Sequence, residues 1–219
     1  MKTQIIIVAG GSGKRMKSDI PKQFLLLAGK PILMHTIEQF SSFSSDIFLV
    51  LPENDISIWE DLVEKHQFKT SVKIIKGGEE RFFSVQNAIK KCSNDGIILN
   101  HDGVRPLVSK QTIENVISKS IEDAGAIPVI DIYESMRLIA RRESMPVDRN
   151  KYKLVQTPQG FNAELIKESY HQEFDIKFPD DASVFEAAGY SISLVDGNKE
   201  NIKITTPEDL EFANFLKKQ

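Results

Sequence analysis

Short runs of β-branched residues alternate with segments of helical apolar spacing along most of this chain. The runs that predict strands are residues 5–8, 47–50, 72–75 and 96–99, and the first is almost entirely apolar. Such a run suits a strand covered on both faces of a parallel sheet. The intervening segments 31–40, 56–66 and 83–92 have helical spacing, and Ile113, Val116 and Ile117 continue it in a further segment. The alternation predicts βαβ units in a three-layer α/β fold with a mostly parallel sheet.

One segment, residues 133–156, breaks this alternation. It mixes charges with scattered apolar positions, and we interpret it as two strands, about 134–141 and 151–156, joined by 142–146. These strands would form a protruding β-arm. Because an isolated hairpin is marginal in water, the arm needs a partner to cover it.

The last part of the chain returns to a regular pattern. Residues 202–204 are predicted as a strand, and Thr206 and Pro207 are suited to cap and begin a final helix. Repeats and obvious linkers are absent from the sequence, so we expect one domain over residues 1–219.

Charge and composition exclude several classes of function. The 28 Lys and Arg against 31 Asp and Glu give a net charge of −3, which argues against a bulk nucleic-acid binder. The apolar runs are too short to span a membrane, and the first is too short for a signal-peptide core. The single Cys92 cannot form an internal disulfide. We therefore expect a cytoplasmic protein.

A glycine-rich turn follows the first predicted strand, at residues 9–13. Backbone N–H groups of such a turn can approach a phosphate closely. An ordinary tight turn is the alternative, but cations crowd the following residues: Lys14, Arg15, Lys17 and Lys22. The turn is not a dinucleotide fingerprint, which needs glycine where Met16 stands, and not a Walker loop, which needs Ser or Thr where Arg15 stands. It predicts a phosphate-binding loop of another kind.

Further motifs make the pattern specific. The opening turn with Pro21-Lys22-Gln23 resembles that of the sugar-phosphate nucleotidyltransferases. The complete set resembles the 2-C-methyl-D-erythritol 4-phosphate cytidylyltransferase family from residue 5 to the last helix. The additional motifs are Gly77-Gly78-Glu79-Glu80-Arg81 with Ser84, His101-Asp102-Gly103-Val104-Arg105-Pro106, Val147-Asp148-Arg149-Asn150, Gln156-Thr157-Pro158-Gln159 and Asn201-Ile202-Lys203-Ile204-Thr205.

The resemblance implies a Rossmann-like nucleotidyltransferase fold and a reaction. In this family a sugar-alcohol phosphate oxygen attacks the α-phosphorus of CTP and releases pyrophosphate, in non-mevalonate isoprenoid synthesis. A phosphate monoester is largely ionised at neutral pH, so no general base is required. Catalysis would then consist of positioning and charge neutralisation, which suits a chain rich in placed cations and glycines.

The resemblance also implies roles for individual residues. The catalytic cations would be Arg15, Lys22, Arg149 and Lys203. The nucleotide would be bound by Ala9, Gly10, Gly11, Gly13, Gly78, Arg81, Ser84 and Asp102. Asp102 would also hold Mg²⁺, and the second substrate would contact Arg105, Ser135 and Thr157. Pro179 stands where the family more usually has Thr, which removes one hydroxyl from the site.

The same resemblance implies a homodimer. In the family the arm crosses a two-fold axis, so residues 133–156 would be a dimerisation arm, and Arg149 and Thr157 would serve the partner's active site. His101 is adjacent to Asp102, but neighbouring strand residues face opposite sides, so we expect His101 to be structural.

Two alternatives remain for the function. A ribitol-5-phosphate cytidylyltransferase would share CTP and most motifs, but Asp148 before Arg149 favours methylerythritol phosphate as the acceptor. A non-catalytic nucleotide-binding domain is the alternative from another class, and the retention of Arg15, Lys22, Arg149 and Lys203 disfavours it.

Overall fold

The computed structural model describes residues 1–11, 16, 18, 20–140 and 143–218. Its main sheet contains β1 Thr3–Val8, β4 Ile47–Leu51, β5 Lys73–Lys76, β6 Ile97–Asp102, β7 Gly125–Ile130, β10 Leu154–Val155, β11 Gln159–Asn162 and β12 Ser193–Asp196. The strand order is β10-β7-β11-β6-β1-β4-β5, and β12 also pairs with β7. Shorter strands are β2 Leu26–Leu27, β3 Lys30–Pro31, β8 Met136–Ala140 and β9 Glu143–Val147.

Helices cover both faces of this sheet. They are α1 Ile32–Phe40, α2 Ile56–Lys65, α3 Arg81–Ile89, α4 Lys110–Asp123, α5 Ala163–Ser169, α6 Asp181–Ala187 and α7 Pro207–Leu216. Ile5 and Ile7 of β1 pack in one apolar cluster with Leu33 of α1, whereas Ile6 packs in a second cluster with Val85 of α3. Successive residues of a strand point to opposite faces, so a nearly all-apolar β1 serves both clusters. The predicted three-layer fold is confirmed.

Parallel pairing brings three strand ends together at one edge of the sheet. β1 pairs in parallel with β4 and β6, and Val8 lies opposite both Val50 and Asp102. β11 is an exception, since it runs antiparallel to both β6 and β7. The carboxyl ends of parallel strands are where α/β sheets bind ligands, so the turn after β1 and the end of β6 are placed to form a site.

The arm differs from its prediction. β8 pairs with β9 over Met136↔Val147 to Ala140↔Glu143, so the second arm strand is 143–147, the segment predicted to be the connection. Pro146 indicated a turn. A two-stranded hairpin nevertheless tolerates proline, because each of its strands is an edge strand and no third strand requires a backbone N–H there. Residues 151–156 instead contain β10, which pairs antiparallel with β7 in the main sheet. Arg141 and Arg142 lie outside the described residues.

The chain end is partly as predicted. Residues 202–204 join no sheet, although the Ile204 N–H donates to the Val104 carbonyl at 3.0 Å. Thr206 is confirmed as the N-cap of α7, with Pro207 in its first turn. None of the helices in the described part of the chain combines the length and apolar character that crossing a membrane requires.

Candidate active site

A cavity of about 260 Å³ opens at the carboxyl ends of β1 and β6. It contains every described residue predicted to bind the nucleotide, together with two of the predicted catalytic cations. Its walls are formed by Val8, Ala9, Gly10, Gly11, Lys22, Gln23, Gly78, Glu79, Glu80, Arg81, Ser84, Asp102, Val104 and Lys203. Gly13 and Arg15, which were also predicted here, lie outside the described residues.

The turn after β1 lies close to Lys22. A Cβ atom added to Gly11 would lie 3.3 Å from Cε of Lys22, so the absence of a side chain at position 11 lets the lysine pass over the turn. Pro21 precedes Lys22, which begins a short 3-10 helix, Lys22–Phe24. Gln23 is buried behind it and donates to Oδ2 of Asp55 at 2.8 Å. These contacts fix the backbone that carries Lys22.

A second turn, residues 77–80, forms the opposite part of the wall. The backbone N–H of Gly78 donates to Oγ of Ser84 at 3.0 Å, so this hydroxyl braces the turn against α3. A Cβ atom at position 78 would lie only 2.5 Å from Cβ of Phe83. Glycine is therefore required here by close packing. A neighbouring hollow is bordered by Gly10, Pro52, Glu53, Gly77, Gly78, Glu79 and Ser84.

Asp102, the last residue of β6, carries a buried carboxylate surrounded by cations. Its Oδ2 is 3.1 Å from Nε of Arg105 and 3.1 Å from Nζ of Lys203. Burial alone raises the pKa of Asp102, but the positive charges of Lys203, Arg81 and Arg105 outweigh it and hold that pKa below its ordinary value. Asp102 is therefore ionised at neutral pH and holds Arg105 and Lys203 at the cavity.

A second cavity of about 210 Å³ adjoins the first. Arg81, Asp102 and Lys203 border both cavities. The remaining walls of the second cavity are Arg105, Val155, Gln156, Thr157, Gln159, Pro179 and Asp180. Pro179, the position with the missing hydroxyl, thus lines this cavity. The site consists of two compartments that meet at three charged side chains.

Thr157 lies in its own chain's site, which corrects the prediction that it serves the partner. Its Oγ1 accepts from the backbone N–H of Asp102 at 3.2 Å and lies 2.9 Å from Nδ1 of His101. The reason is topological, because β10 and β11 pair with the main sheet and carry the intervening Thr157 to the end of β6.

His101 has a structural role, as predicted. It is fully buried, and its Nε2 lies 3.1 Å from the Arg105 carbonyl, so the ring bridges Thr157 and Arg105. Burial lowers the pKa of His101 to about 4, and the neutral imidazole is therefore the form present at neutral pH.

The structure does not bring Arg149 and Ser135 to these two cavities. Arg149 lines a separate hollow with Asp131, Tyr133 and Lys153, and its guanidinium donates to the Tyr133 carbonyl. Ser135 is exposed at the base of the hairpin. Within one chain, therefore, both residues lie apart from Asp102 and Lys203.

Two residues to which the sequence motifs assign no role support the site. Asp181 accepts two hydrogen bonds from Arg81, at 2.8 and 2.6 Å. Asn201 donates to the Thr157 carbonyl at 2.8 Å, and its own carbonyl accepts from Nη1 of Arg105 at 2.8 Å. No local spacing signals either contact, since Asp181 lies 100 residues from Arg81 and Asn201 lies 96 from Arg105.

Comparisons with known proteins agree with this geometry. The family model described as IspD: 2-C-methyl-D-erythritol 4-phosphate cytidylyltransferase matches residues 3–219. Proteins of that name from Phocaeicola vulgatus and Bacteroides thetaiotaomicron are 49% and 47% identical over 218 residues, which is 99% of this chain and 100% of each relative.

Solved structures give the same result. The 4-diphosphocytidyl-2C-methyl-D-erythritol synthase of Anaerococcus prevotii has a TM-score of 0.83 at 27% identity, covering 99% of this chain and 98% of its own. The 2-C-methyl-D-erythritol 4-phosphate cytidylyltransferase of Thermus thermophilus has a TM-score of 0.81 at 27% identity, with both chains fully covered. The bifunctional IspDF of Campylobacter jejuni has a TM-score of 0.81 at 26% identity and covers 96% of this chain, which matches 54% of that longer one.

Proposed function

The chain belongs to the 2-C-methyl-D-erythritol 4-phosphate cytidylyltransferase family, and we propose that the two adjoining cavities hold the two substrates of this reaction. The enzyme transfers a cytidylyl group from CTP to 2-C-methyl-D-erythritol 4-phosphate in isoprenoid synthesis. The observation that supports the placement is the shared wall of Arg81, Asp102 and Lys203. In this placement the reacting groups of the two substrates would meet at the wall that the two compartments share.

The reaction requires the protein to position the two substrates and to offset the negative charge of their phosphates. A phosphate oxygen of the acceptor forms a bond to the α-phosphorus of CTP, and the bond to the bridging β-phosphate oxygen breaks, so pyrophosphate leaves with the electron pair. The acceptor phosphate is already ionised at neutral pH, with its second pKa at about 6, and needs no base. Lys22 and Lys203, with Arg15, would offset the charge that accumulates around the α-phosphorus.

In this proposal CTP occupies the first cavity. The backbone of Ala9, Gly10 and Gly11, with Gly13, would follow the triphosphate. Gly78, Arg81 and Ser84 would border the nucleoside, with the cytosine in the hollow between the turns after β1 and β5. Bracing of Gly78 by Ser84 supports this assignment, since a fixed backbone turn can reject a purine by its width.

Asp102 is suited to a divalent cation. Among the described residues no group of three or more His, Cys, Asp or Glu side chains is close enough to hold a metal by itself. Mg²⁺ commonly takes one or two carboxylates and completes its shell with substrate phosphates and water. The ionised Asp102 fits that requirement, and Mg²⁺ bound there would neutralise phosphate charge.

The acceptor phosphate would occupy the second cavity, beside Lys203, Arg105 and Thr157. We propose that Arg149 and Ser135 reach the same phosphate from the partner in a C2 homodimer, with residues 133–156 as the dimerisation arm of a single domain. The exposed apolar side chains Leu138, Ile139 and Met145 of the hairpin support a covered arm. We also propose a cytoplasmic location, which suits a buried Cys92 that forms no disulfide.

The test is release of pyrophosphate from CTP, followed with and without Mg²⁺. 2-C-methyl-D-erythritol 4-phosphate should support turnover, and ribitol 5-phosphate should not. Turnover with ribitol 5-phosphate alone would assign the acceptor to the alternative cytidylyltransferase. Binding of CTP without turnover of either acceptor would indicate a nucleotide-binding protein that is not an enzyme.

A further inference from the structure

Arg81 and Asp181 form an ion pair between two helices at the shared wall. Arg81 begins α3 and Asp181 begins α6. The guanidinium donates through Nη1 to Oδ1 and through Nη2 to Oδ2, at 2.8 and 2.6 Å. This bidentate arrangement fixes the plane of the guanidinium as well as its position.

The two partners differ in their access to the cavities. The Asp181 side chain is 0% exposed, whereas the Arg81 side chain is 30% exposed and borders both cavities. Asp181 therefore cannot meet a substrate, but Arg81 can. Its N–H groups not used by Asp181 remain for a ligand, since a guanidinium carries five N–H donors.

Arg81 occupies a position that local electrostatics disfavour. It lies in the first turn of α3, where the helix dipole is positive and a cation is repelled. Enclosure by the protein by itself lowers the pKa of Arg81, but the neighbouring carboxylates of Asp181 and Asp102 outweigh this and raise the pKa above its ordinary value. The buried partner thus explains how a cation is maintained there.

Asp181 is itself held from two further sides. The Tyr170 hydroxyl donates to its Oδ1 at 2.5 Å, and burial raises the pKa of Tyr170, so the phenol keeps its proton. The start of α6 is tied to β11, because Gln159 donates to Asp180 at 2.8 Å and accepts from the Ala182 N–H at 3.0 Å. The carboxylate is consequently a rigid support anchored in the main sheet.

We propose that Arg81 contacts the reacting α-phosphate as a catalytic residue, and that Asp181 is the positioning residue that holds it there. This inference rests on the proposed function and makes it more specific, since it moves Arg81 from the nucleoside to the point where the two substrates meet. Arg81 would neutralise charge on the phosphorus during transfer. Asp181 would act only through the orientation of the guanidinium.

The experiment compares kcat and the KM of each substrate in Arg81→Lys, Asp181→Asn, the double variant and Tyr190→Phe. Arg81→Lys keeps the positive charge but loses the bidentate geometry of the guanidinium. It should lower kcat by about 10²-fold, with the KM of CTP changed less than about threefold. Asp181→Asn should lower kcat by about tenfold or more. The double variant should match Arg81→Lys, because residues that act as a unit are not additive.

Tyr190→Phe is the matched control. It removes a tyrosine hydrogen bond of the same kind, to Oε2 of Glu168 at 2.8 Å, at a residue that lines neither cavity, so it should leave kcat within about twofold of wild type. Multiplying effects in the double variant, or an equal fall of kcat in Tyr190→Phe, would overturn the proposal. If Asp181→Asn does not fold, Arg81→Lys decides alone, and an unchanged kcat refutes it. A wild-type enzyme that releases no pyrophosphate would instead refute the proposed function.

Discussion

Asp102 balances the charge of the candidate site before any substrate binds. Its Oδ2 forms ion pairs with both Arg105 and Lys203. The positive charge of Arg81 lies close enough to lower the pKa of Asp102 further. Cations that would otherwise repel one another are therefore held within one small volume. An entering phosphate finds donors already in place and does not have to organise them, which is the condition for electrostatic catalysis.

Lys22 should be essential for turnover. Replacing Lys22 by Ala should lower kcat by about 10²-fold or more, a typical loss when one electrostatic stabiliser of the transition state is removed. Steady-state pyrophosphate release measures the effect. Exposed Lys69, far along the chain on the loop after α2, provides the control, and Lys69→Ala should keep wild-type kcat. Retention of kcat by Lys22→Ala would contradict the proposed mechanism.

His101 should make the protein less stable in mild acid. Its pKa is about 4 in the folded protein against about 6.5 when unfolded, so below pH 6.5 the unfolded chain takes up a proton that the folded chain does not. The contribution of neutral His101 to stability is complete above pH 6.5 and is lost as the pH falls towards 4. Between pH 7.5 and pH 5 the loss should be about 2 kcal/mol.

Urea unfolding at the two pH values measures this change in the free energy of unfolding. His35 is also buried, and burial lowers its pKa too, so wild type alone does not isolate His101. The difference between wild type and His101→Asn isolates the contribution of His101 to the pH dependence. The variant should show a pH dependence smaller by that amount, and an identical pH dependence would refute the assignment.

Helix α7 and the β8–β9 hairpin show which local sequence signals are sufficient to predict a structural element. α7 begins as predicted because its cap is entirely local. The Thr206 hydroxyl accepts from the Asp209 N–H at 3.3 Å, and the Asp209 carboxylate accepts from the Thr206 N–H at 2.9 Å. The hairpin was only half predicted, because Pro146 gives the same signal in a turn and in an exposed strand. The extent of β9 is set by its pairing with β8, which the local composition of 143–147 does not encode.

The cap of α7 should be measurable as stability. Thr206→Ala should lower the free energy of unfolding by about 1 kcal/mol, since it leaves a backbone donor of the first turn without its acceptor. Thr206→Ser keeps the hydroxyl and should lose much less. Urea denaturation of the three proteins gives the comparison. Equal losses in both variants would show that the threonine methyl group, and not the cap, provides the stability.

The whole molecule determines which residues form the site. The alternating strand pattern predicted the layers, and most of the described residues that line the first cavity belong to motifs visible in the sequence. Contacts between distant segments were beyond that reasoning, as with Asp181 on Arg81 and Asn201 on Arg105. Thr157 was assigned to the wrong subunit. The site that it joins depends on how β10 and β11 pair with the main sheet, which the motif alone does not specify. Sequence motifs name residue types, whereas the topology decides which of them meet.

The proposed dimer should permit complementation between inactive variants. If Arg149 serves the partner's site, mixed dimers of Arg149→Ala and Lys22→Ala contain one site with both residues intact. Random exchange of subunits should then restore up to roughly a quarter of wild-type activity. Pyrophosphate release after exchange measures this recovery.

The control is a mixture of Lys22→Ala with Lys203→Ala. Both residues line the same chain's cavity, so no mixed dimer contains a complete site and activity should stay absent. Subunit exchange is verified with chains that carry different tags. Exchange without recovery in the Arg149 mixture would contradict a site shared between chains.

The shared wall of the two cavities also favours inhibitors of a particular design. Since Arg81, Asp102 and Lys203 belong to both compartments, a single compound can occupy both with a short connection. Tethering a cytidine fragment to a polyol phosphate fragment makes the second binding event intramolecular, with an effective concentration of order mM for a short flexible linker. Two weak ligands would thereby become one tight ligand without any additional protein contact.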